Sequence, residues 1–417
     1  MIYDVIVLGG GIAGLYTAYT LHQQNPKLSL LLLEKNDYFG GRIYTIHEKE
    51  FTIEAGAGRW NETHILWQQL IRELGLQEKI QPIPSDLHFV PSGNYVSKYF
   101  NCDPFETINP VLGKAKQTPR DKLRQYTFME FAKTVLSPQD CQFVEDSLGY
   151  HEQLMCMNAY DATKLFDQGM HTKHSFFVLK GGMSQVIDKL VSKLTNKICK
   201  KNQTVTKITY PTTTTTATTD HLFHIEVESS GKTNTYFARQ CVSALPKPAL
   251  QSIPFFKPIY PLLSHIGTKT LCRIYAQFSQ ENIWFKHIPK STTNNRLRYV
   301  IPIDRDKGVI MISYTDGKYA RYWKDKDDAS IIDRVKKQIY QTYDFKIEDP
   351  VYIRKCYWEL GTSYWKPNVR SFEICRKLIQ PIPTCPMFLC GENYSTNQGW
   401  IEGALETSRV VTDKLLL

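Results

Sequence analysis

Apolar residues first gather in a run over residues 2–8, recur at helical spacing over 12–24, and run again over 28–34, Leu-Ser-Leu-Leu-Leu-Leu-Glu. Two short apolar runs around a stretch of 3.6-residue period predict strand, helix, strand, one βαβ unit. Ile65, Leu66, Leu70 and Leu74 then share one stripe, with Asn61 as N-cap and Gly75 as stop, so a helix over about 62–74 follows. From about residue 80 to 175 the α/β regularity is lost. Pro82, Pro84, Pro91, Pro104, Pro110 and Pro119 divide this stretch, and the capping box Thr127-x-x-Glu130 marks its one clear helix start. It reads as an insertion that shapes a substrate site.

The α/β pattern resumes at Gly181-Gly182-Met183-Ser184, which opens an amphipathic helix carrying Ile187, Leu190, Val191 and Leu194. Val205-x-x-Ile208 and His224-Ile-Glu-Val-Glu228 alternate like strands, and the tract Thr212–Thr216 between them reads as an exposed hairpin loop without function. A long strand is expected over 268–278, a helix over 328–343 with Ile331, Ile332, Val335, Ile339 and Tyr343 inward, a strand over Met387–Cys390 and a last helix from about Gly399. The prediction is an α/β fold with a cofactor domain built from 1–78, 180–254 and 376–417, and an inserted α+β substrate domain of 79–179 and 255–375.

Composition narrows the class. With 417 residues, 42% hydrophobic and 22% charged, the chain can bury a sizeable core, which excludes disordered, fibrous and disulfide-stapled scaffolds. The formal charge of +10 favours anionic partners, but the densest basic clusters, Lys197-Ile-Cys-Lys-Lys201 and Asp333-Arg-Val-Lys-Lys337, read as solvated helix ends or faces. No nucleic-acid module accompanies them, so no nucleic-acid partner is expected. The ten cysteines are scattered without Cys-x-x-Cys spacing, which suits a reducing, cytoplasmic setting, and no metal site is expected. Met1 leads directly into a strand-like run, and no apolar stretch approaches the ~18 residues of a membrane span, so a soluble, unsecreted protein is expected.

The first chemical motif is Gly9-Gly10-Gly11-Ile12-Ala13-Gly14, a G-x-G-x-x-G that follows a predicted strand and opens a predicted helix. Such glycines let the backbone approach a pyrophosphate while the helix N-terminus offers free N–H groups. Glu34 at the end of the next strand, followed by Lys35, can accept from ribose hydroxyls and argues against a 2′-phosphate. NAD and FAD both remain.

Gly40-Gly41-Arg42 resembles the second fingerprint of the flavin amine oxidase family, where the arginine lies near the FAD pyrophosphate. Glu54-Ala55-Gly56-Ala57-Gly58-Arg59-Trp60 is similar to the family's segment beside the flavin ring, and Lys180-Gly181-Gly182-Met183 to its return into the cofactor domain. Val205-x-x-Ile208 resembles the pair flanking the adenine, and Ser243-Ala244-Leu245-Pro246 the strand end that follows. Gly391-Glu392 and Gly399-Trp400-Ile401-Glu402-Gly403-Ala404 resemble the terminal fingerprint, with Glu392 near the ribityl chain and the last helix near the isoalloxazine. The shared order, in patches over nearly the full length, implies a glutathione-reductase-type Rossmann-like domain holding FAD. Cys356 is out of register with the family's flavin-linking cysteine, which implies non-covalent attachment.

Two features resemble the L-amino-acid oxidase branch. Arg59 matches the arginine that pairs there with the substrate carboxylate, and Gly399-Trp400-Ile401 matches that branch's Gly-Trp-Ile. The resemblance also places aromatic residues at Tyr364-Trp365, after Trp358, as site walls or flavin contacts, while the position of the amine oxidase cage tyrosine falls near Gly361. The family's lysine that holds water against flavin N5 has two counterparts here, Lys269 and Arg273. Residues 269, 271 and 273 share one strand face, and the choice between the cations stays open. The implied activity is hydride removal from the α-carbon of a primary amine or L-amino acid, with O2 reduced to hydrogen peroxide. A desaturase or protoporphyrinogen-oxidase-like enzyme on an apolar substrate, a mutase using reduced flavin, and a flavin-binding protein without turnover are the other readings.

Overall fold

The computed structural model describes residues 1–211 and 221–416, so the tract Thr212–Thr216 lies outside the described residues. A seven-stranded sheet carries β1 (Ile2–Leu8) at its centre. β1 runs parallel to β2 (Leu30–Leu33) on one side and to the strand Lys232–Ser243 on the other, in register from Ile2↔Phe237 to Leu8↔Ser243. The strands Thr204–Thr209 and Phe223–Ser229 extend the sheet past Lys232–Ser243, Cys199–Lys200 closes the edge beside β2, and Met387–Leu389 pairs in parallel with Lys232–Ser243.

Both faces of this sheet are covered, which is why β1 and β2 read as continuous apolar runs. Alternation sends Val5 and Val7 to one side, where they pack with Leu15 and Ala18 of α1 (Ile12–Gln24), Leu190 of the helix Ser184–Ile198 and Leu405 of the helix Ile401–Leu416. Ile6 and Leu8 face the opposite core, with Phe256, Leu263, Trp365 and Met387.

A second sheet of six strands has the order Tyr352–Trp365, Ile266–Gln277, Val309–Asp316, Tyr299–Asp304, Ser291–Thr292, His88–Phe89. A helical layer, Pro104–Gln117, Phe128–Ala132, Pro138–Ser147, His151–Met155 and Ala159–Lys164, packs around Phe105, Ile108, Phe128, Leu154 and Phe166. The proline-rich stretch is therefore mainly helical, and Pro104 and Pro138 sit in first turns, where their missing N–H groups cost nothing. The expected capping box forms: Thr127 accepts from the Glu130 amide, and the Glu130 carboxylate accepts from the Thr127 amide at 2.8 Å.

The helix expected over about 62–74 is Ile65–Glu73, and Asn61 is not its cap. Asn61 belongs to a two-residue strand; its Oδ1 accepts from the Thr63 amide at 3.0 Å and its Nδ2 donates to the Gln168 and Gly169 carbonyls. Among the described residues, no helix is long and apolar enough to cross a membrane, and no cluster of His, Cys, Asp and Glu could hold a metal ion.

Candidate active site

The turn between β1 and α1 shows what each glycine is for. Gly9 has φ +101°, a left-handed conformation that disfavours any side chain, and a Cβ there would meet the Ala244 carbonyl oxygen at 3.2 Å. A Cβ on Gly14 would stand 1.9 Å from the Gly9 carbonyl oxygen, so Gly14 permits the close packing of helix on strand and does not itself line the cavity. Gly11 meets nothing within 4 Å, and open space lies where its side chain would be. Glu34 is buried beside this turn, its Oε2 accepting from the Gly10 amide at 2.7 Å and its Oε1 from the Asn36 amide at 2.9 Å.

A second constellation joins distant segments. Arg42 donates through Nη1 to Glu392 Oε2 at 2.8 Å and to the Gly361 carbonyl at 3.0 Å. Glu392 also accepts from the amides of Ser363 at 2.9 Å and Gly399 at 2.8 Å. Burial pushes its pKa up, but the Arg42 charge and these amides outweigh it, and the carboxyl titrates below the ordinary glutamate value. Gly56 must be a glycine, since a Cβ would lie 1.9 Å from the Arg42 carbonyl oxygen.

These segments wall one continuous cavity of about 1490 Å³. That exceeds the roughly 300–1,000 Å³ of a site for one small ligand, so it has room for a dinucleotide and a substrate together. Beyond the glycine turn and Glu34, the wall takes Val205 and Ala244, the Gly56–Gly58 segment, and Gly399, Trp400 and Ile401. Among the cations on the wall are Arg59, Arg273 and Lys290. Arg59 donates to the Tyr150 hydroxyl at 3.1 Å and stacks 4.4 Å over the Phe176 ring. Arg273 donates to the Glu54 carbonyl at 2.8 Å and lies 5.0 Å over the Tyr314 ring. Lys290 donates to the Ser85 carbonyl at 3.1 Å.

Residues 12–416 match the model of the flavin-containing amine oxidoreductases. The chain belongs to this family. Amine oxidase [flavin-containing] B of Rattus norvegicus is 36% identical over 111 residues, which cover 26% of this chain and 20% of that enzyme. The chain thus spans about one fifth of the length of that mammalian relative. An uncharacterized protein of Acanthamoeba polyphaga mimivirus is 22% identical over 482 residues, covering 97% of this chain and 92% of that protein. A putrescine oxidase variant redesigned in its cofactor binding has the same fold, with a TM-score of 0.79 at 15% identity, over 100% of this chain and 99% of that one.

The cofactor of this amine oxidoreductase is FAD, and the donor set fits it. The first-turn amides of α1 suit a pyrophosphate, and the free lone pairs of Glu34 suit ribose hydroxyls. Lys35, Gly41 and Gly391 join the same wall. Trp400 presents its indole there with Nε1 buried and without a partner among the described residues, and its ring meets His64 edge-on at 4.6 Å. Burial, reinforced by Arg59, lowers His64 to about 3, so this ring is neutral.

Besides Gly14, three expected site residues lie off the cavity. Lys269 shares the face of Leu271 and Arg273, but at its end of the sheet that face is covered: Lys269 is buried 3.5 Å from Asp316, which in turn accepts from the His151 amide at the start of the helix His151–Met155. Of the two candidate cations, only Arg273 lines the cavity. Tyr364, opposite Gly267 on the same covered end, packs its ring where a Cβ on Gly267 would lie 2.2 Å away. Trp365, one residue on, points to the other face and is fully buried in the core beneath the first sheet, donating to the Ser395 carbonyl at 3.0 Å. The aromatic residue that does line the cavity from this strand is Trp358, donating to the Ala55 carbonyl at 2.6 Å. Sequence reasoning missed Tyr150, Tyr299 and Lys290, which carry no motif; Lys290 directly precedes the strand that pairs with that of Tyr299, and Tyr150 comes from the helical layer.

Proposed function

We propose that the protein is an FAD-dependent oxidase of L-amino acids, with the cofactor held non-covalently. Bound FAD would supply the two-electron acceptor for the α-carbon hydride and pass the electrons to O2 as hydrogen peroxide, while water would hydrolyse the substrate imine to a keto acid and ammonia. The observation that carries the substrate class is Arg59, a cavity cation whose guanidinium is held by Tyr150 and Phe176 but paired with no carboxylate among the described residues. A guanidinium so oriented suits bidentate capture of an α-carboxylate, leaving the amine and α-hydrogen to be aimed along the cavity. Trp358 and Trp400 supply flat walls, and Arg273 supplies a fixed positive charge for water and oxygen.

A polyamine site would require free carboxylates; Glu34, Glu54, Glu392, Glu48, Asp304 and Glu359 are each engaged by protein donors, and Glu50 is exposed. A desaturase of purely apolar substrates has less support, because cations including Arg59, Arg273 and Lys290 line the wall. Anaerobic mixing of the FAD-loaded protein with L-amino acids, monoamines and polyamines tests the reading. Bleaching of the flavin by L-amino acids alone, reversed by oxygen with peroxide released, is the expected result; bleaching by polyamines but not amino acids would overturn it.

A further inference from the structure

Lys290 is not explained by the chemistry above. It precedes the strand Ser291–Thr292, which pairs with Tyr299–Asp304 through Ser291↔Val300 and Thr292↔Tyr299, and it enters the same cavity as Tyr299 and Ile301. An ammonium has three protons to donate, and the one acceptor it meets among the described residues is the Ser85 carbonyl. Among the described residues no carboxylate ion-pairs with it. Asp103 is occupied in capping Phe105, whose amide it accepts at 2.9 Å, and in accepting from the Thr172 hydroxyl; Asp86 is exposed on the loop beside it. A largely enclosed cation without a counter-charge is costly and calls for an anion from elsewhere.

Two further observations point the same way. The Tyr299 hydroxyl is buried on the cavity wall with no hydrogen-bond partner among the described residues, its ring 5.5 Å from that of Tyr150, which itself holds Arg59. Arg59, Tyr150, Tyr299 and Lys290 all line the one cavity, and Arg59 lies near enough to Lys290 for the two charges to repel; neither cation has a carboxylate partner among the described residues. Burial first, and then the repulsion of Arg59, pulls Lys290 down to about 7 against the opposing pull of Asp103 and Asp86.

We propose that Lys290 forms a second anion subsite in this cavity, so that the preferred substrate is an acidic L-amino acid, its α-carboxylate at Arg59 and its side-chain carboxylate at Lys290. Tyr299 offers its hydroxyl to the distal carboxylate. The assignment rests on the amino-acid oxidase reading for the identity of the substrate, though the anion subsite itself does not require turnover. Because a bound anion stabilises the charged ammonium, distal binding weakens as pH rises through about 7, whereas an anion held by arginine alone does not respond in that range.

The experiment uses the FAD-loaded protein and inert ligands, glutarate with two carboxylates and butyrate with one, titrated against the flavin difference spectrum. Glutarate is expected to bind roughly ten- to a hundredfold more tightly than butyrate, the range of one charge-assisted hydrogen bond. The preference should disappear in Lys290→Met, persist in Lys290→Arg, and fade above pH 7 in the unmodified protein. Equal affinity for the two acids, or a preference unchanged in Lys290→Met, overturns the subsite; butyrate binding that is lost in Arg59→Ala would then leave the amino-acid reading standing. Binding of neither acid overturns both. Should Lys290→Met fail to retain FAD, the glutarate-to-butyrate ratio and its pH dependence in the unmodified protein still decide.

Discussion

Arg42 and Glu392 meet at 2.8 Å across 350 residues of sequence, and the same carboxylate gathers the amides of Ser363 and Gly399. One side chain thus ties the start of the cofactor wall to its end. Glu392→Gln keeps the shape but removes the charge, and should cost about 2 kcal/mol of stability and loosen FAD. The pH dependence follows from the lowered pKa of Glu392: its contribution is present above the unfolded value of about 4.3 and is lost as pH falls through the lower folded value. Thermal unfolding measured from pH 6 to pH 3 should show a steeper acid loss in the unmodified protein than in Glu392→Gln.

Arg59 is predicted to act on substrates with a carboxylate and on no others. Arg59→Ala should lower kcat/KM for L-amino acids by roughly ten- to a hundredfold while the flavin spectrum is kept, and Arg59→Lys should not restore it, because an ammonium cannot reproduce the planar fork held by Tyr150 and Phe176. Steady-state kinetics with matched amino acids and amines checks this; an equal loss on both classes would refute a carboxylate role.

Gly11 and Gly56 separate folding from cofactor approach. Gly56→Ala puts a methyl group 1.9 Å from the Arg42 carbonyl and should yield little folded protein. Gly11→Ala meets no protein atom within 4 Å, at φ −72° and ψ 176°, which alanine adopts freely. Its melting temperature without cofactor should be unchanged while its FAD affinity falls, since the methyl group would occupy the space left for the pyrophosphate. Calorimetry paired with flavin titration distinguishes the two.

Arg273 is the cavity cation on the strand Ile266–Gln277. Arg273→Met should slow reoxidation of the reduced protein by O2 by roughly 10²-fold, the scale of losing one preorganised charge, with anaerobic reduction by substrate less affected. Stopped-flow measurement of the two half-reactions would show the split, and equal rates in both variants would remove Arg273 from oxygen chemistry.

The parts of the fold that were legible in the sequence are those where burial is uniform. β1, α1 and β2 fall within a residue or two of their expected limits because both faces of the strands are covered and the glycine turn between them admits no alternative. Alternation along the strand Ile266–Gln277 correctly grouped Lys269 with Arg273 on one face, but periodicity does not say where on a face the cavity ends. That limit is set by Asp316 holding the helix His151–Met155 across the sheet, a long-range contact with no local signature. Tyr150, Tyr299 and Lys290 were invisible for the same reason: each is ordinary in its own segment and becomes a cavity residue through packing of the insertion on the second sheet. Asn61 was misread because an Asx turn onto Thr63 and a helix cap use the same side-chain oxygen.

The cavity wall takes its glycine turn from one end of the described chain and Gly391, Trp400 and Ile401 from the other. A ribosome adding ~5–20 residues per second releases these two halves tens of seconds apart. Through that interval Arg42 has no Glu392 to meet, and α1 lacks the helix Ile401–Leu416 that shares its core. Cofactor capture is therefore a late event in the life of each chain, and a message cut short before Gly391 would produce a protein with the pyrophosphate turn but no closed cradle.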